Sequence, residues 1–322
     1  MTQTAPLLSR RLVIVTGKGG TGKTSVAAAL AMGAAERGLR VLVAAVDPDA
    51  RLRQLLGGSA APLAYEPIPV REGVWVSHVE PFEALSEYLA LQVVSRRVVD
   101  PVLRQRAFRQ FLMATPGWRE LITLGKIWHL EQMRENGGPR FDLIVVDAPA
   151  TGHGLTFLDV PRVVASAVRA GPLHKHTEAV EELIEDPERT LLLPVALAEE
   201  LPARETTELL ERVRERLSVA VDRVVVNAVH EPPYPPDLDD LDRRLAALDP
   251  ELSLGELPGP GALAACGATL HARARLNARY VRELGESTGL PTPTLPYVQE
   301  GLEGPEGLAR LAGPLLAGEP AP

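Results

Sequence analysis

The residues of this sequence that most clearly point to chemistry form a glycine-rich loop, Gly-Lys-Gly-Gly-Thr-Gly-Lys-Thr, at positions 17–24. Glycines let backbone N–H groups turn inward around a polyphosphate, and a helix that begins at the end of the loop adds partial positive charge. Lys23 and Thr24 stand where an ammonium group and a hydroxyl can reach the terminal phosphates and Mg²⁺. The spacing therefore predicts a polyphosphate site. The predicted contacts are Gly17, Lys18, Gly19, Gly20, Thr21, Gly22, Lys23, Thr24 and Ser25.

The flanking segments and the use of lysine support this prediction. The apolar run Leu12 to Val15 predicts a buried strand before the loop, and the Ala-rich residues 24–37 predict a helix after it. Of the 34 basic residues, 30 are Arg and four are Lys, and Lys18 and Lys23 both lie in the loop. Since a compact ammonium group suits a phosphate oxygen, this choice of lysine favours phosphate binding.

Two aspartates that follow predicted strands are candidate catalytic residues. Asp47 follows the run Val41 to Val46, and Asp147 follows Leu143 to Val146. The carboxyl ends of parallel strands meet at one edge of a sheet, beside the crevice where phosphates lie. Asp147 is predicted to order a water on Mg²⁺, whereas Asp47 could either face the phosphates or cap the helix that follows it.

Two more segments are candidates for contact with a nucleotide. Residues 148–154 contain two glycines and a proline, which suits a loop that changes conformation when a γ-phosphate arrives or leaves. Asn227 follows a predicted strand, Val221 to Val226. Its amide could pair with an adenine edge, or it could simply form a turn.

The composition argues against several classes of protein. Acidic residues outnumber basic residues by 42 to 34, so we expect no nucleic-acid partner. We find no signal peptide and no uncharged window of membrane-spanning length, which predicts a cytoplasmic protein. One cysteine, Cys266, allows neither an intrachain disulfide nor a thiolate cluster, and we interpret it as a small packed residue.

The pattern of apolar runs predicts an α/β fold in which a mostly parallel sheet is flanked by helices. We expect a single domain over residues 1–322, with helical insertions near 81–135 and 161–188. The second insertion contains His174-Lys175-His176, which we interpret as a solvated surface rather than a metal site. The remaining predicted elements are strands at Val74 to Val79, Thr190 to Leu197 and Thr292 to Leu295, and helices at Glu205 to Leu217, Leu270 to Leu284 and Leu302 to Leu316.

Several motifs together carry a family resemblance over nearly the whole chain. The second lysine of GKGGTGKT, Lys18, marks a deviant Walker A loop, and residues 147–161, DAPATGHGLTFLDVP, have the order of a switch II segment. The sequence thereby resembles the ArsA group, which includes the arsenite-pump ATPase and the guided-entry ATPase for tail-anchored membrane proteins. Supporting matches are Pro116-Gly117 with Glu120, Ala198-Glu199, Glu205-Thr206, VVVN ending at Asn227, and Leu295-Pro296 with Glu300.

The resemblance implies ATP hydrolysis with Mg²⁺ and assigns roles at the phosphates. Lys23 would bind the phosphates, and Thr24 would coordinate Mg²⁺. Asp47 would position the attacking water, and Asp147 would act on Mg²⁺ through water. The reaction would be an in-line attack of water on the γ-phosphate, helped by positioning and charge neutralisation.

The resemblance also implies contacts with a second subunit and with the adenine base of the nucleotide. Lys18 would reach the phosphates of the other subunit across the interface of a homodimer or a paralogous heterodimer. Asn227 and the loop after Pro296 would hold adenine.

The sequence departs from the family at several positions. Guided-entry members share a zinc ion through Cys-x-x-Cys, but about Gly267 and Leu270 stand there, so we expect no zinc. The arsenite-binding cysteines of the pump ATPase have no counterpart, and the chain has one nucleotide-binding half where that protein has two. Asp49-Ala50-Arg51 replaces the Ala-His-Asn or Ala-His-Ser of switch I.

Three biological outputs remain open. The ATPase could carry a hydrophobic membrane-protein client, energise an anion-efflux pump through a membrane channel subunit, or act as a regulatory switch with little turnover. Residues 88–133 with 161–183 are the candidate surface for an apolar partner, although their apolar side chains could equally be core. The side chains considered are Val94, Val98, Val102, Phe108, Phe111, Leu112, Met113 and Trp118.

Overall fold

The computed structural model describes residues 6–47, 50–59, 61–93, 101, 103, 105–150, 157–164, 171–235, 238, 240–250, 252, 255–302 and 304–320. In this part of the chain one eight-stranded sheet has the order β10-β9-β8-β1-β7-β2-β4-β3, and a separate hairpin pairs β5 with β6. The strands are β1 (Leu12–Thr16), β2 (Val41–Ala45), β3 (Ile68–Arg71), β4 (Val74–His78), β5 (Arg134–Glu135), β6 (Gly138–Pro139), β7 (Leu143–Asp147), β8 (Thr190–Leu197), β9 (Val225–Val229) and β10 (Thr294–Pro296).

The strands of the large sheet are parallel except at one edge, where β3 runs antiparallel to β4. Helices cover both faces, and the predicted α/β fold class is confirmed. The helices are α1 (Lys23–Ala35), α2 (Ala50–Leu55), α3 (Pro81–Val93), α4 (Arg106–Ala114), α5 (Trp118–Gln132), α6 (Pro172–Glu185), α7 (Glu200–Arg216), α8 (Leu241–Ala246), α9 (Pro260–Thr288) and α10 (Gly304–Leu315), and residues 157–164 are also helical.

The two faces of β1 show why its apolar run is continuous. Val13 and Val15 pack in the layer that contains α1 and α10, while Leu12 and Ile14 pack in the layer that contains α5, α6 and α7. A parallel strand buried on both faces needs apolar side chains at every position. The sheet core therefore holds the ends of β1, β2 and β7 firmly in register, and the candidate site lies at those ends.

Helix α1 is closely packed because its residues are small. All of its residues from Ser25 to Ala34 are buried, and a Cβ added at Gly33 would lie 2.6 Å from Leu316 Cδ1. The helix that begins at the glycine loop is thus fixed between the sheet and α10.

Some predicted elements differ from the observed ones. Strand β9 begins at Val225 rather than at Val221, so Asn227 lies within the strand and not at its end. Helix α9 extends over 29 residues, and Cys266 on it is exposed rather than packed. Strand β3 was not predicted.

The predicted helical insertions correspond to described helices. Helices α3, α4 and α5 lie in residues 81–135, and the helical residues 157–164 and α6 overlap or lie in residues 161–188. Val94, Val98 and Val102, Asp49 and the 151–154 part of the expected switch loop lie outside the described residues. The division of the chain into one domain stays a prediction.

Candidate nucleotide-binding site

The loop between β1 and α1 has a backbone that requires glycine at two positions. Gly17 has φ +148°, and a Cβ there would lie 2.3 Å from the carbonyl oxygen of Val195. Gly22 has φ +90°, and a Cβ there would lie 2.1 Å from Asn227 Nδ2. Both values are favourable for glycine only, and both sites lack room for a side chain. The loop is therefore closely fitted to β8 and β9.

The two loop lysines point to different surroundings. The Lys23 ammonium donates to the carbonyl oxygen of Lys18 at 3.1 Å, within the loop itself. The Lys18 ammonium instead lies 2.5 Å from Glu205 Oε1 on α7. Glu205 is one of the motif residues noted in the sequence, but its pairing with Lys18 was not predicted.

Both predicted aspartates lie close enough to Lys23 to affect the pKa of its ammonium group. Burial lowers the pKa of Lys23, while the charges of Asp147 and Asp47 act in the opposite direction. Both carboxylates therefore lie within electrostatic reach of the ammonium group. Asp47 is exposed to solvent, whereas Asp147 is buried.

The register of the sheet explains why these aspartates meet. Strand β7 lies between β1 and β2, and Asp147 is paired with Val15 on one side and Ala45 on the other. Asp47 follows two residues after Ala45. The carboxyl ends of three adjacent parallel strands thus place the loop and both carboxylates at one edge, as the sequence analysis expected.

Thr24 and Asp147 form the group that could hold Mg²⁺. The Thr24 hydroxyl donates to Asp147 Oδ2 at 2.7 Å. Mg²⁺ prefers hard oxygen ligands and commonly uses few protein groups together with water and substrate phosphates. Among the described residues no group of three or more His, Cys, Asp or Glu side chains could hold a metal ion. The Thr24 and Asp147 oxygens fit a Mg²⁺ ion that is completed by phosphate and water.

Asn227 has a structural contact that the sequence did not predict. Its amide Nδ2 donates to the carbonyl oxygen of Thr21 at 2.9 Å, and the side chain is buried. The next residue, Ala228, has φ +56°, which is unusual for a residue with a side chain. Asn227 therefore shapes the loop, while its contact with adenine stays a prediction.

A cleft of about 400 Å³ runs from the loop to the segment after β10. Lys23 and Thr24 line this cleft, and so do Pro296 and Tyr297. Asn227 lies along the wall, as does Arg51, which the sequence analysis treated only as a departure from the family. The volume lies in the range of small-molecule sites.

Comparison with known sequences identifies the family of the chain. A family model described as anion-transporting ATPase, ArsA type, matches residues 10–172, about half of the chain. The chain belongs to the ArsA ATPase family. The match covers the loop, both aspartates and the helices α3 to α5.

Named relatives include proteins of both mycobacteria and other prokaryotes. ATPase BagA of Mycobacterium tuberculosis is 33% identical over 224 residues, which are 67% of this chain and 64% of BagA. An arsenical pump-driving ATPase of Escherichia coli is 28% identical over 209 residues, 56% of this chain and 33% of that protein. A putative arsenical pump-driving ATPase of Prosthecochloris vibrioformis is 30% identical over 161 residues, 50% of this chain and 38% of that protein. The chain thus spans less than two thirds of the length of these ArsA-family relatives.

Among the helices described, none combines the length and the apolar character that crossing a bilayer requires.

Proposed function

We propose that this chain is a Mg²⁺-dependent ATPase whose nucleotide state opens and closes a dimer and thereby controls the binding of an apolar segment of a membrane protein in the cytoplasm. The observation that carries the ATPase proposal is the convergence of Lys23, Asp47 and the Thr24–Asp147 pair at one edge of the sheet. Membership of the ArsA ATPase family supports it.

The proposed chemistry begins with an exchange of contacts at the loop. The Lys23 ammonium would leave the carbonyl oxygen of Lys18 and bind phosphate oxygens, because a hydrogen bond to a neutral carbonyl is weaker than one to a charged phosphate. Thr24 and Asp147 would hold Mg²⁺, which supplies charge neutralisation on the phosphates. Asp47 is exposed beside them and would orient the attacking water.

The surroundings of Lys18 support a site completed by a second subunit. Lys23 already serves the phosphates of its own loop, and the Lys18 side chain is 51% exposed and paired with Glu205. An exposed ion pair contributes only about 0–1 kcal/mol, so exchange of Glu205 for a partner's phosphate costs little. We therefore propose that Lys18 acts across the dimer interface.

Mixing two inactive variants tests the dimer. Lys18→Ala and Asp47→Asn chains should each lack activity alone, and hybrid dimers should regain part of it because one composite site has both groups intact. A mixture shown to form hybrids that stays inactive would contradict the role of Lys18 across the interface.

An apolar region beside the sheet supports a membrane-protein client. A cavity of about 120 Å³ lies between α3, α5 and α6, bordered by the rings of Tyr88, Trp128 and His176. His176 packs edge-on against both other rings, which differs from the solvated surface that the sequence analysis expected. Nearby on α4, Phe111 is 66% and Met113 is 59% exposed. These side chains could contact an apolar segment.

Not every expected contact residue is available in this conformation. Trp118 is buried and packs against Phe82 with the ring centroids 4.9 Å apart. Phe108 and Leu112 are partly buried against the same cluster. The proposed contact surface is therefore the exposed face of α4 together with the cavity, and Trp118 belongs to the core beneath it.

The polar boundary of the cavity is an ion pair. Lys126 donates to Glu87 Oε2 at 2.6 Å, and the Tyr65 hydroxyl donates to the same oxygen. Burial raises the pKa of Glu87, but the hydrogen bonds from Lys126 and Tyr65 and the nearby charges of Lys126 and His129 together outweigh burial, so the pKa is lowered. The pair fixes α3 to α5 and so couples the helices that would have to move around a client.

A second candidate function is the energising subunit of an anion-efflux pump, which the names of the Escherichia coli and Prosthecochloris relatives suggest. A site for trivalent metalloids needs three soft sulfur ligands, and the sequence contains Cys266 alone. We therefore favour the client over the metalloid.

Binding of a hydrophobic dye tests the client proposal. The protein with ATP and Mg²⁺ should bind more dye than the protein with ADP, and Phe111→Asp should abolish this difference while ATP hydrolysis continues. Leu257→Asp is a matched control, because Leu257 is 64% exposed and lies outside the candidate surface, residues 88–133 with 161–183. Equal dye binding in both nucleotide states, with hydrolysis intact, would favour a regulatory switch instead.

A further inference from the structure

An arginine on helix α2 lines the same cleft as the glycine loop. Arg51 borders the cleft together with Thr24 and Ser25, and it is exposed to solvent. It lies at the start of α2, shortly after Asp47 in the chain. A guanidinium group therefore stands beside the residues on which we propose that the phosphates lie.

The position of Arg51 is fixed by the leucines that follow it. Leu52 and Leu55 on α2, and Leu56 directly after this helix, are buried and belong to the same core cluster as helix α1. Helix α1 begins at the glycine loop. The backbone that carries Arg51 is thus packed in one layer with the helix that carries the loop, before any nucleotide binds.

The charges that border the cleft are of one sign. Among the described residues that line it, Lys23 and Arg51 carry a positive charge and none carries a carboxylate. The N-terminus of α1 lies at the same cleft and adds partial positive charge, and no acidic residue lies in its first turn. This wall therefore favours an anionic ligand.

The aspartates of the site indicate which phosphates Arg51 meets. Asp47 and Asp147 act on the Lys23 ammonium, but neither is among the described residues that line the cleft. The proposed attack on the γ-phosphate takes place beside these aspartates, so the cleft receives the rest of the nucleotide. Arg51 is therefore placed for the phosphates that ATP and ADP share.

We propose that the Arg51 guanidinium binds the α- and β-phosphates of the nucleotide. The inference rests on the proposed binding of ATP and adds a phosphate-binding residue from outside the glycine loop. A guanidinium presents several N–H donors in a planar fork that matches two phosphate oxygens. Since ATP and ADP both carry these phosphates, Arg51 contributes equally to the binding of substrate and of product.

Calorimetric titration with MgATP, MgADP and inorganic tripolyphosphate with Mg²⁺ tests the proposal. Arg51→Gln should weaken the binding of all three probes about tenfold, because each loses hydrogen bonds to a charged donor. Arg51→Lys keeps the charge without the fork and should give a smaller loss. Gln54→Ala is the matched control and should bind all probes as the parental chain does. Gln54 is exposed on the same helix and is not among the residues that line the cleft.

Each alternative result has a distinct meaning. Unchanged affinities in Arg51→Gln would overturn the inference while leaving the proposed ATPase standing. A loss confined to MgATP would assign Arg51 to the γ-phosphate, and a loss for both nucleotides without one for tripolyphosphate would assign it to the base or the ribose. Either result would also overturn the inference. A parental chain that binds none of the probes would refute the proposed function, and this inference would fall with it.

Discussion

The substitution Gly22→Ala should destabilise the protein through two separable effects. The first is conformational, because Gly22 has φ +90°, and a left-handed backbone with a Cβ costs about 1–2 kcal/mol. The second is steric, because the new Cβ would lie 2.1 Å from Asn227 Nδ2 and must displace it from the carbonyl oxygen of Thr21. Loss of that buried hydrogen bond adds about 1–3 kcal/mol. We expect a total loss in the free energy of unfolding of about 3 kcal/mol.

Urea unfolding measures this loss, and the loop provides a matched control. Gly20 has φ +84°, but a Cβ there would meet no atom within 4 Å, so Gly20→Ala should show the conformational cost alone. In an Asn227→Ala background the steric partner is absent, and Gly22→Ala should then cost about as much as Gly20→Ala. Equal losses for Gly22→Ala and Gly20→Ala in the parental background would show that the contact with Asn227 adds no cost.

Three further predictions concern the ion pair at the cavity, the metalloid and the metal. Because the pKa of Glu87 is lowered, the stability from its pairing with Lys126 is present above the unfolded pKa near 4.5 and is lost as the pH falls through the folded value. Glu87→Gln should therefore lower the free energy of unfolding at neutral pH by about 3 kcal/mol and flatten its decline in acid, and identical pH profiles would contradict this. Arsenite or antimonite should not raise the rate of ATP hydrolysis, and stimulation that survives Cys266→Ser would revive the pump function. Thr24→Val removes the hydroxyl that binds Asp147 and should raise the Mg²⁺ concentration needed for half-maximal hydrolysis about tenfold, whereas an unchanged requirement would remove Thr24 from the metal site.

Most strands of the sheet could be predicted, because a parallel strand buried on both faces has a continuous run of apolar residues in the sequence. The exception is β3, a short edge strand that contains Pro69 and runs antiparallel, so it carries no such run. The first part of α9 was also missed. Residues 260–269 are mostly small and form no clear apolar stripe, so their sequence shows little of the periodicity that predicts a helix.

The candidate site was predictable where its residues are adjacent in sequence or end neighbouring strands. The glycine loop, Asp47 and Asp147 follow those rules. The partners of the loop do not, since Glu205 is 187 residues from Lys18 and Asn227 is 206 residues from Thr21. These pairs depend on how α7 and β9 pack against the loop. Such long-range packing cannot be predicted from a pattern of neighbouring residues in the sequence.

We propose above all that the glycine loop binds ATP and that Asp47 directs its hydrolysis. The most direct measurement is the release of phosphate from MgATP, made together with ATP binding, for the parental chain and for Asp47→Asn and Lys23→Ala. We expect that the parental chain hydrolyses ATP, that Asp47→Asn binds ATP without turnover, and that Lys23→Ala does not bind ATP. Hydrolysis by Asp47→Asn at the parental rate, or a parental chain that does not bind ATP, would contradict it.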